Sequence, residues 1–366
     1  MRVLFCGSDT FSARILNRLV EGNRALKIYG LIPASSQTGR GLKKVYRPPL
    51  LDLIEKLSIP HHSLPRPDSG RANPLKDWSI PEEFARLEDD AHQPGPILLS
   101  ASFPYRIPAE MIGRFGHLRA LNVHPSLLPR YRGAAPIQWQ LAHGEPELGV
   151  SIQELSPKGF DTGAILAQNA LSLPPTTCYP AAEAALADLA ADILDQLIPN
   201  IDSHIASAWP QDPSKVTYAP KITPLDLRID PSWSYAKVAG RYRGMSHQHP
   251  LSIQLNGELY QVEVDLPETP TAAAFATQHS GRMARTQPGD LLFDRTLDRV
   301  ALRLGPDPST PPVLIRAAKL VRAGGKGWLA PAAWWDRLYN TVPPVPGASR
   351  SLKNFSVALD PLPTSS

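Results

Sequence analysis

Apolar residues in the first half of the chain come in short runs spaced by amphipathic stretches. Residues 2–7 read Arg-Val-Leu-Phe-Cys-Gly, an apolar run closed by a turn residue, and residues 12–20 place Ile15, Leu16, Leu19 and Val20 on one helical face. Further apolar runs follow at 28–32, 97–100 and 120–123, separated by helical stretches such as 50–57 and 81–87. Strands alternating with helices predict a Rossmann-like α/β architecture, a parallel sheet covered on both faces, with ligands received outside the carboxyl ends of the strands. Gly7 alone marks the first turn, so the G-x-G-x-x-G dinucleotide fingerprint is missing and a nicotinamide-dependent enzyme loses its main support.

The second half has another texture. Segments 251–255, 258–264, 290–293 and 300–304 are short, partly alternating and broken by Gly257, Pro267 and Gly305, which suits a small antiparallel, OB-like β-barrel. The expected organisation is an α/β domain over 1–205, a polar, proline-bearing linker over 206–214, the barrel over 215–335 and a tail over 336–366. That tail holds Pro343, Pro344, Pro346, Pro361 and Pro363 and reads as disordered. Residues 64–80, with Pro65, Pro67, Gly70 and Pro74 and no periodicity, read as a surface insertion.

Composition adds three constraints. The 366 residues include 40 prolines, well above the usual ~5%, yet the apolar share is that of a globular protein. Two cysteines, Cys6 and Cys178, make neither a disulfide framework nor a four-cysteine zinc site, which fits a reducing compartment. No apolar run of ~18 residues exists to span a bilayer, so no membrane partner is expected, and without heptads a monomer is expected. The net charge of +4 is unevenly spread: residues 1–214 carry 20 basic and 22 acidic side chains, whereas residues 215–330 carry 15 and 10. A basic second half fits a polyanion-binding module, and on charge alone a solubilised surface fits equally well.

The chemistry concentrates between residues 121 and 138. An apolar strand delivers Asn122 and His124 at i and i+2, so both side chains leave one face of the sheet where Pro125 forces the chain out. Pro136 stands at a natural first helical position, and Gly144 closes that helix. Farther on, residues 150–153 alternate as a strand, residues 156–159 form a turn-rich loop, and Asp161-Thr162-Gly163 precedes a strand beginning near Ala164. An Asp at such a strand start can reach a histidine at a neighbouring strand end and fix its tautomer or favour its charged form. Amide, imidazole and carboxylate together supply what attack on a carbonyl carbon requires: donors for an oxyanion and a group that tunes the imidazole or relays a proton. In isolation, a strand-end Asn-x-His also occurs as structure, and Asp-Thr-Gly also occurs as a plain turn. His61-His62 and His247-x-His249 lack a third ligand at metal spacing, so no metal is expected. Ser126 lies outside any G-x-S-x-G elbow, which argues against an acyl-serine mechanism.

The run Asn122-Val123-His124-Pro125-Ser126-Leu127-Leu128-Pro129-Arg130-Tyr131-Arg132-Gly133-Ala134-Ala135-Pro136-Ile137-Gln138, with Asp161-Thr162-Gly163 downstream, resembles the core of the methionyl-tRNA formyltransferases. The resemblance spans most of residues 1–330 and is strongest over 119–166. It implies a formyltransferase domain over 1–205 and a tRNA-binding barrel over 215–335. It implies transfer of a formyl group from 10-formyltetrahydrofolate to initiator methionyl-tRNA in translation initiation. Asn122, His124 and Asp161 are then catalytic, and Phe103, Ser126, Leu127, Leu128, Pro129 and Gly159 bind folate. Residues 38–44, with Arg40, Lys43 and Lys44, resemble the family's basic loop for the acceptor end, where cations on a flexible loop suit phosphate contacts. Arg132, Lys221, Lys319 and Lys326 are the remaining expected tRNA contacts.

Two departures stand out. Phe103-Pro104-Tyr105-Arg106 replaces a Tyr-Gly common before the pterin loop, and residues 245–250 replace an Asn-Pro-Trp-Pro-like element. The insertion and tail point to an organellar form in the mitochondrial matrix, although no Arg-rich leader precedes Met1; a bacterial-type cytoplasm is the other setting. Competing functions are formylation of a sugar amine, hydrolysis of formyltetrahydrofolate, and a noncatalytic RNA-binding role.

Overall fold

The computed structural model describes residues 1–22, 25–38, 43–65, 73–76, 78–84, 95–255, 257–266, 268–283, 286–307, 311–321 and 327–341. The chain forms two compact units, Met1–Gln140 with Pro146–Lys221, and Leu141–Glu145 with Ile222–Ser366.

The strands of the first unit are β1 (Arg2–Gly7), β2 (Lys27–Pro33), β3 (Ser36–Thr38), β4 (Lys44–Tyr46), β5 (His61–Leu64), β6 (Ile97–Ala101), β7 (Ala120–His124), β8 (Glu147–Glu154) and β9 (Ile165–Ser172). Seven of them build one sheet in the order β5-β2-β1-β6-β7-β8-β9, while β3 and β4 pair in a separate ribbon. Pairing from β5 through β7 is parallel, as the strand–helix alternation predicts. The remaining two strands correct that expectation, because β8 runs antiparallel to β7 and β9 antiparallel to β8. The reason is local: Ser151 of β8 lies opposite His124, the last residue of β7, so the chain between them stays at one edge of the sheet. Central strands are apolar on both faces, and β6 is buried along its whole length. The helix Thr10–Gly22 buries Phe11, Ile15, Leu16 and Leu19, each apolar side chain contributing about 1.5–3 kcal/mol of transfer free energy. It packs on the helix Tyr179–Leu197, to which Arg14 is clamped through two 2.7 Å bonds to Asp188.

The two cysteines lie in opposite environments. Cys6 is buried in β1, where loss of hydration pushes its thiol well above the ordinary range, whereas Cys178 is exposed. A chromogenic disulfide reagent is therefore expected to titrate one thiol in the native protein and two after denaturation. Two thiols titrating natively would contradict the buried strand.

Parts of the predicted surface insertion belong to the core. Leu64 and Leu75 are buried in one hydrophobic cluster with Leu4 and Leu98, and Trp78 and Ile80 pack against it. The Asn73 side chain fixes this excursion by donating to the Arg106 carbonyl at 2.7 Å and accepting from Leu75 N at 3.1 Å. Within the predicted helix at 81–87, only the 3₁₀ turn Glu82–Phe84 is described. Residues 206–221 are knitted onto the first unit rather than hanging free: Trp209 exchanges both backbone hydrogen bonds with Ile165, at 2.8 and 3.0 Å.

The second unit carries β10 (Leu251–Leu255), β11 (Glu258–Asp265), β12 (Leu291–Asp294), β13 (Arg299–Leu302) and β14 (Val313–Leu320), all antiparallel in the order β10-β11-β14-β13-β12. Gly257, at φ +76°, makes the tight turn between β10 and β11. The helix Pro331–Thr341 extends past residue 335, where the sequence pattern places the start of the tail, because Trp334, Trp335 and Leu338 are all buried. Residues 342–366 lie outside the described residues. Among the described residues no helix is long and apolar enough to cross a membrane.

Candidate active site

The site lies at the carboxyl end of β7, the edge where parallel strands receive ligands. Alternation along β7 sends Asn122 and His124 to one face, and the antiparallel register sets Gln153 opposite Asn122 and Ser151 opposite His124. Pro125 then turns the chain into a loop tied down by buried bonds. Ser126 Oγ donates to the Arg130 carbonyl at 2.7 Å, and Ser151 Oγ donates to the Ser126 carbonyl at 2.6 Å while accepting from Leu128 N at 3.0 Å.

His124 is buried, and its Nε2 lies 2.9 Å from the Tyr131 carbonyl. A carbonyl can only accept, so Nε2 carries a proton and Nδ1 is aimed elsewhere. It faces Asp161 Oδ1 at 3.4 Å, and Asn122 Nδ2 lies 3.5 Å from the same oxygen. Three residues spread over 39 positions of sequence therefore converge on one point.

Asp161 itself is held firmly. Gln153 Nε2 donates to Oδ1 at 2.8 Å, and the Gly133 backbone N–H donates to Oδ2 at 2.9 Å. Gln211 Nε2 reaches the Asp161 carbonyl at 3.0 Å and the Gly163 carbonyl at 2.8 Å. The Asp161 backbone sits in the left-handed region at φ +55°, a conformation that aspartate tolerates better than most residues. Glycine is required on both sides of this contact. Gly133 has φ +118°, and a Cβ on Gly163 would stand 2.0 Å from the Glu154 carbonyl oxygen.

The structure brings Asn122, His124 and Asp161 together. The residues expected to bind folate divide in two. Leu127, Pro129, Phe103 and Gly159 are half-buried, with Phe103 edge-on to Tyr105 at 5.5 Å. Ser126 and Leu128 are buried, and the Ser126 hydroxyl, amide and carbonyl all serve the turn, so that side chain shapes the loop. Among the expected tRNA contacts, Lys43, Lys44 and Lys221 are exposed and Lys319 is half-buried on β14. Arg40 and Lys326 lie outside the described residues. The Arg132 guanidinium turns onto Gln211 Oε1, at 3.0 Å from Nε and 2.6 Å from one terminal nitrogen. Among the described residues no group of three or more His, Cys, Asp or Glu is placed to hold a metal ion.

Sequence reading missed Gln153 and Gln211. Gln153 left a signal, since it shares a face with Ser151 in an alternating strand; Gln211 left none, since its partners lie about fifty residues away.

Comparison with known proteins places the chain in a family. The family model described as "Formyl transferase" matches residues 1–198. The methionyl-tRNA formyltransferase of Syntrophus aciditrophicus is 32% identical over 260 residues, covering 71% of this chain and 78% of that protein. The mitochondrial methionyl-tRNA formyltransferase of Rattus norvegicus is 32% identical over 227 residues, 61% of this chain and 51% of that one. In fold, the chain is similar to the sugar 3N-formyl transferase WlaRD, solved in the presence of dTDP and 5-N-formyl-THF, with TM-score 0.53 at 15% identity, covering 88% of this chain and 98% of that one. At such low identity the last likeness speaks for the fold alone. The match through residue 198 and the 32% identity to a bacterial enzyme covered over 78% of its length lead to one conclusion: the chain belongs to the methionyl-tRNA formyltransferase family.

Proposed function

We infer that the chain transfers a formyl group from 10-formyltetrahydrofolate to the free amine of initiator methionyl-tRNA. The observation that carries the chemistry is the convergence of Asn122 Nδ2 and His124 Nδ1 on Asp161 Oδ1, at 3.5 and 3.4 Å, at the ligand edge of the sheet. An amide N–H and an imidazole nitrogen beside a firmly held carboxylate fit a formyl group and an incoming amine. When bound, the folate supplies that formyl group on N10 as the electrophile.

Asn122 Nδ2 donates to the formyl oxygen as it gains negative charge during attack. His124 Nδ1 is a second donor when the ring carries both protons, and the Nε2 bond to Tyr131 holds the ring at the right angle for it. Removing one such donor typically costs about 10²–10³ in rate. Asp161 accepts the proton released by the attacking amine, directly or through one water, and Gln153 and Gly133 keep it oriented. The new C–N bond forms on the methionyl nitrogen, the bond to folate N10 breaks, and N10 takes up a proton.

In this reading Leu127, Pro129, Phe103 and Gly159 surround the folate, and Lys43, Lys44 and Lys221 meet phosphates of the acceptor arm. Residues 1–205 hold the catalytic domain and the β-rich remainder assists tRNA binding as a monomer. Arg132 acts on Asp161 through Gln211. The rat relative's name supports a mitochondrial setting, and the bacterial relatives a cytoplasmic one.

The purified protein is expected to add the mass of one formyl group to methionyl-initiator tRNA in the presence of 10-formyltetrahydrofolate, faster than to methionyl-elongator tRNA. Its tRNA affinity should fall steeply between two salt concentrations in a filter-binding titration. Formylation of an amino sugar but not of methionyl-tRNA, or release of formate without transfer, would overturn the assignment.

A further inference from the structure

Large aromatic side chains on a surface are worth explaining when they gather at a reaction centre. Among the described residues, Phe160, Trp209 and Tyr218 are exposed at 73%, 42% and 70%. Each belongs to a segment tied to Asp161 or His124. Phe160 precedes it in the chain. Trp209 lies two residues before Gln211, which binds the Asp161 and Gly163 carbonyls. Tyr218 follows Thr217, whose Oγ1 accepts from Tyr131 N at 2.8 Å, and Tyr131 in turn holds His124.

Tyr218 is presented by a rigid backbone. Four hydrogen bonds splice residues 217–219 to the active-site loop: Thr217 N to the Pro129 carbonyl at 3.3 Å, Arg132 N to Thr217 at 2.9 Å, Ala219 N to Arg132 at 2.7 Å and Ala135 N to Ala219 at 3.1 Å. Within this extended segment Ala219 turns inward and is completely buried, while Thr217 stays exposed and is tied down through its hydroxyl. Alternation then leaves Tyr218 facing outward. Its neighbour Lys221 is exposed on the same segment, and Pro220 is pinned by Trp139 Nε1 at 2.8 Å. Trp209 is likewise fixed, through its two backbone bonds to Ile165. Phe160 differs, because Arg106 lies over its ring at 6.0 Å and it adjoins Gly159 on the loop assigned to folate.

We propose that Tyr218 and Trp209 form a stacking platform for the unpaired 3′-terminal nucleotides of the methionyl-tRNA. The reacting methionine is esterified to the terminal ribose, so the bases next to it must lie beside Asp161 while the amine reaches the formyl carbon. Unpaired RNA bases are held mainly by stacking on aromatic faces with cations on the adjoining phosphates, and Tyr218 with Lys221 supplies both. These are positioning residues. They tolerate any base and act on where the amine sits, not on the bonds that change.

The test measures KM for methionyl-tRNA and for 10-formyltetrahydrofolate separately in the full chain. Tyr218→Ala and Trp209→Ala are each expected to raise KM for methionyl-tRNA by roughly 5–150-fold, the range that loss of one stacked base gives, with KM for the folate unchanged. Tyr218→Phe and Trp209→Phe, which keep the ring, should stay near wild type. An unmoved KM for methionyl-tRNA in both alanine variants overturns the proposal. So does a rise in the folate KM instead, which would assign the rings to the pterin side, or a phenylalanine variant as impaired as its alanine counterpart. The inference rests on methionyl-tRNA being the acceptor. A wild-type enzyme inactive on that substrate defeats that reading, whereas an active wild type with unmoved variants defeats only this one.

Discussion

Replacing Asp161 by asparagine is expected to slow formyl transfer about 10²–10⁴-fold while leaving tRNA binding intact, the range lost when a positioned proton acceptor is removed. The side-chain shape is conserved, so the loss reads on charge and donor–acceptor balance. In the native site both carboxylate oxygens accept, Oδ1 from Gln153 Nε2 and Oδ2 from Gly133 N. An asparagine has one oxygen, so its NH₂ would confront one of those N–H groups. Gln153 is not free to flip its amide in response, because its Oε1 accepts from Gln211 Nε2 at 3.3 Å. One donor is left without a partner, at a cost of about 1–3 kcal/mol in stability. Single-turnover rates with pre-bound methionyl-tRNA separate the two effects. A kcat within a factor of a few of wild type would remove Asp161 from the chemistry.

The second large effect is steric. Gly163→Ala places a methyl carbon 2.0 Å from the Glu154 carbonyl oxygen and 2.8 Å from its carbon, and both are backbone atoms. Glu154 cannot retreat easily, since its N–H donates to the Ala164 carbonyl at 2.9 Å and it ends β8 opposite Leu121. The clash must therefore open β8 from the loop carrying Asp161 or move the loop itself. Overpacking of this kind costs about 1–3 kcal/mol and sometimes more. For a unit of this size that lowers Tm by roughly 2–12 °C, and activity falls further because Asp161 moves. Gly113→Ala is the matched control: apart from its chain neighbours and its own helix no atom lies within 4 Å of its Cβ position, so its Tm should stay at or slightly above wild type. Equal melting temperatures for the two variants would contradict the packing described at Gly163.

Much of this site is legible in the chain because its logic is local. Asn122 and His124 share a face through the two-residue period of a strand, and Pro125, Pro136 and Gly144 punctuate the segment where the structure turns, starts its helix and ends it. Asp161 is suggested by its chemistry, but its distance from the imidazole is set by the pairing of β7 with β8. That pairing is antiparallel, which strand–helix alternation does not reveal, because the helix Pro136–His143 looks like a crossover and is not one. Gln211 is illegible for another reason. It stands in a proline-bearing stretch that resembles a linker, and long-range contacts, the backbone bridge between Trp209 and Ile165 and the Arg132 guanidinium, bring it to Asp161. Leu75 likewise hides among prolines, and its place in the core depends on a turn fixed by the Asn73 side chain.

The most direct examination of the central claim is a double-mutant cycle on the single-turnover rate of formyl transfer. It compares wild type, Asn122→Ala, Asp161→Ala and the double variant at saturating methionyl-tRNA and folate. Groups that act around one carbon as a unit lose most of their effect together, so the double variant should be little slower than the slower single variant. Losses that multiply across the two positions, or near-normal rates in both single variants, would contradict a shared reaction centre at the end of β7.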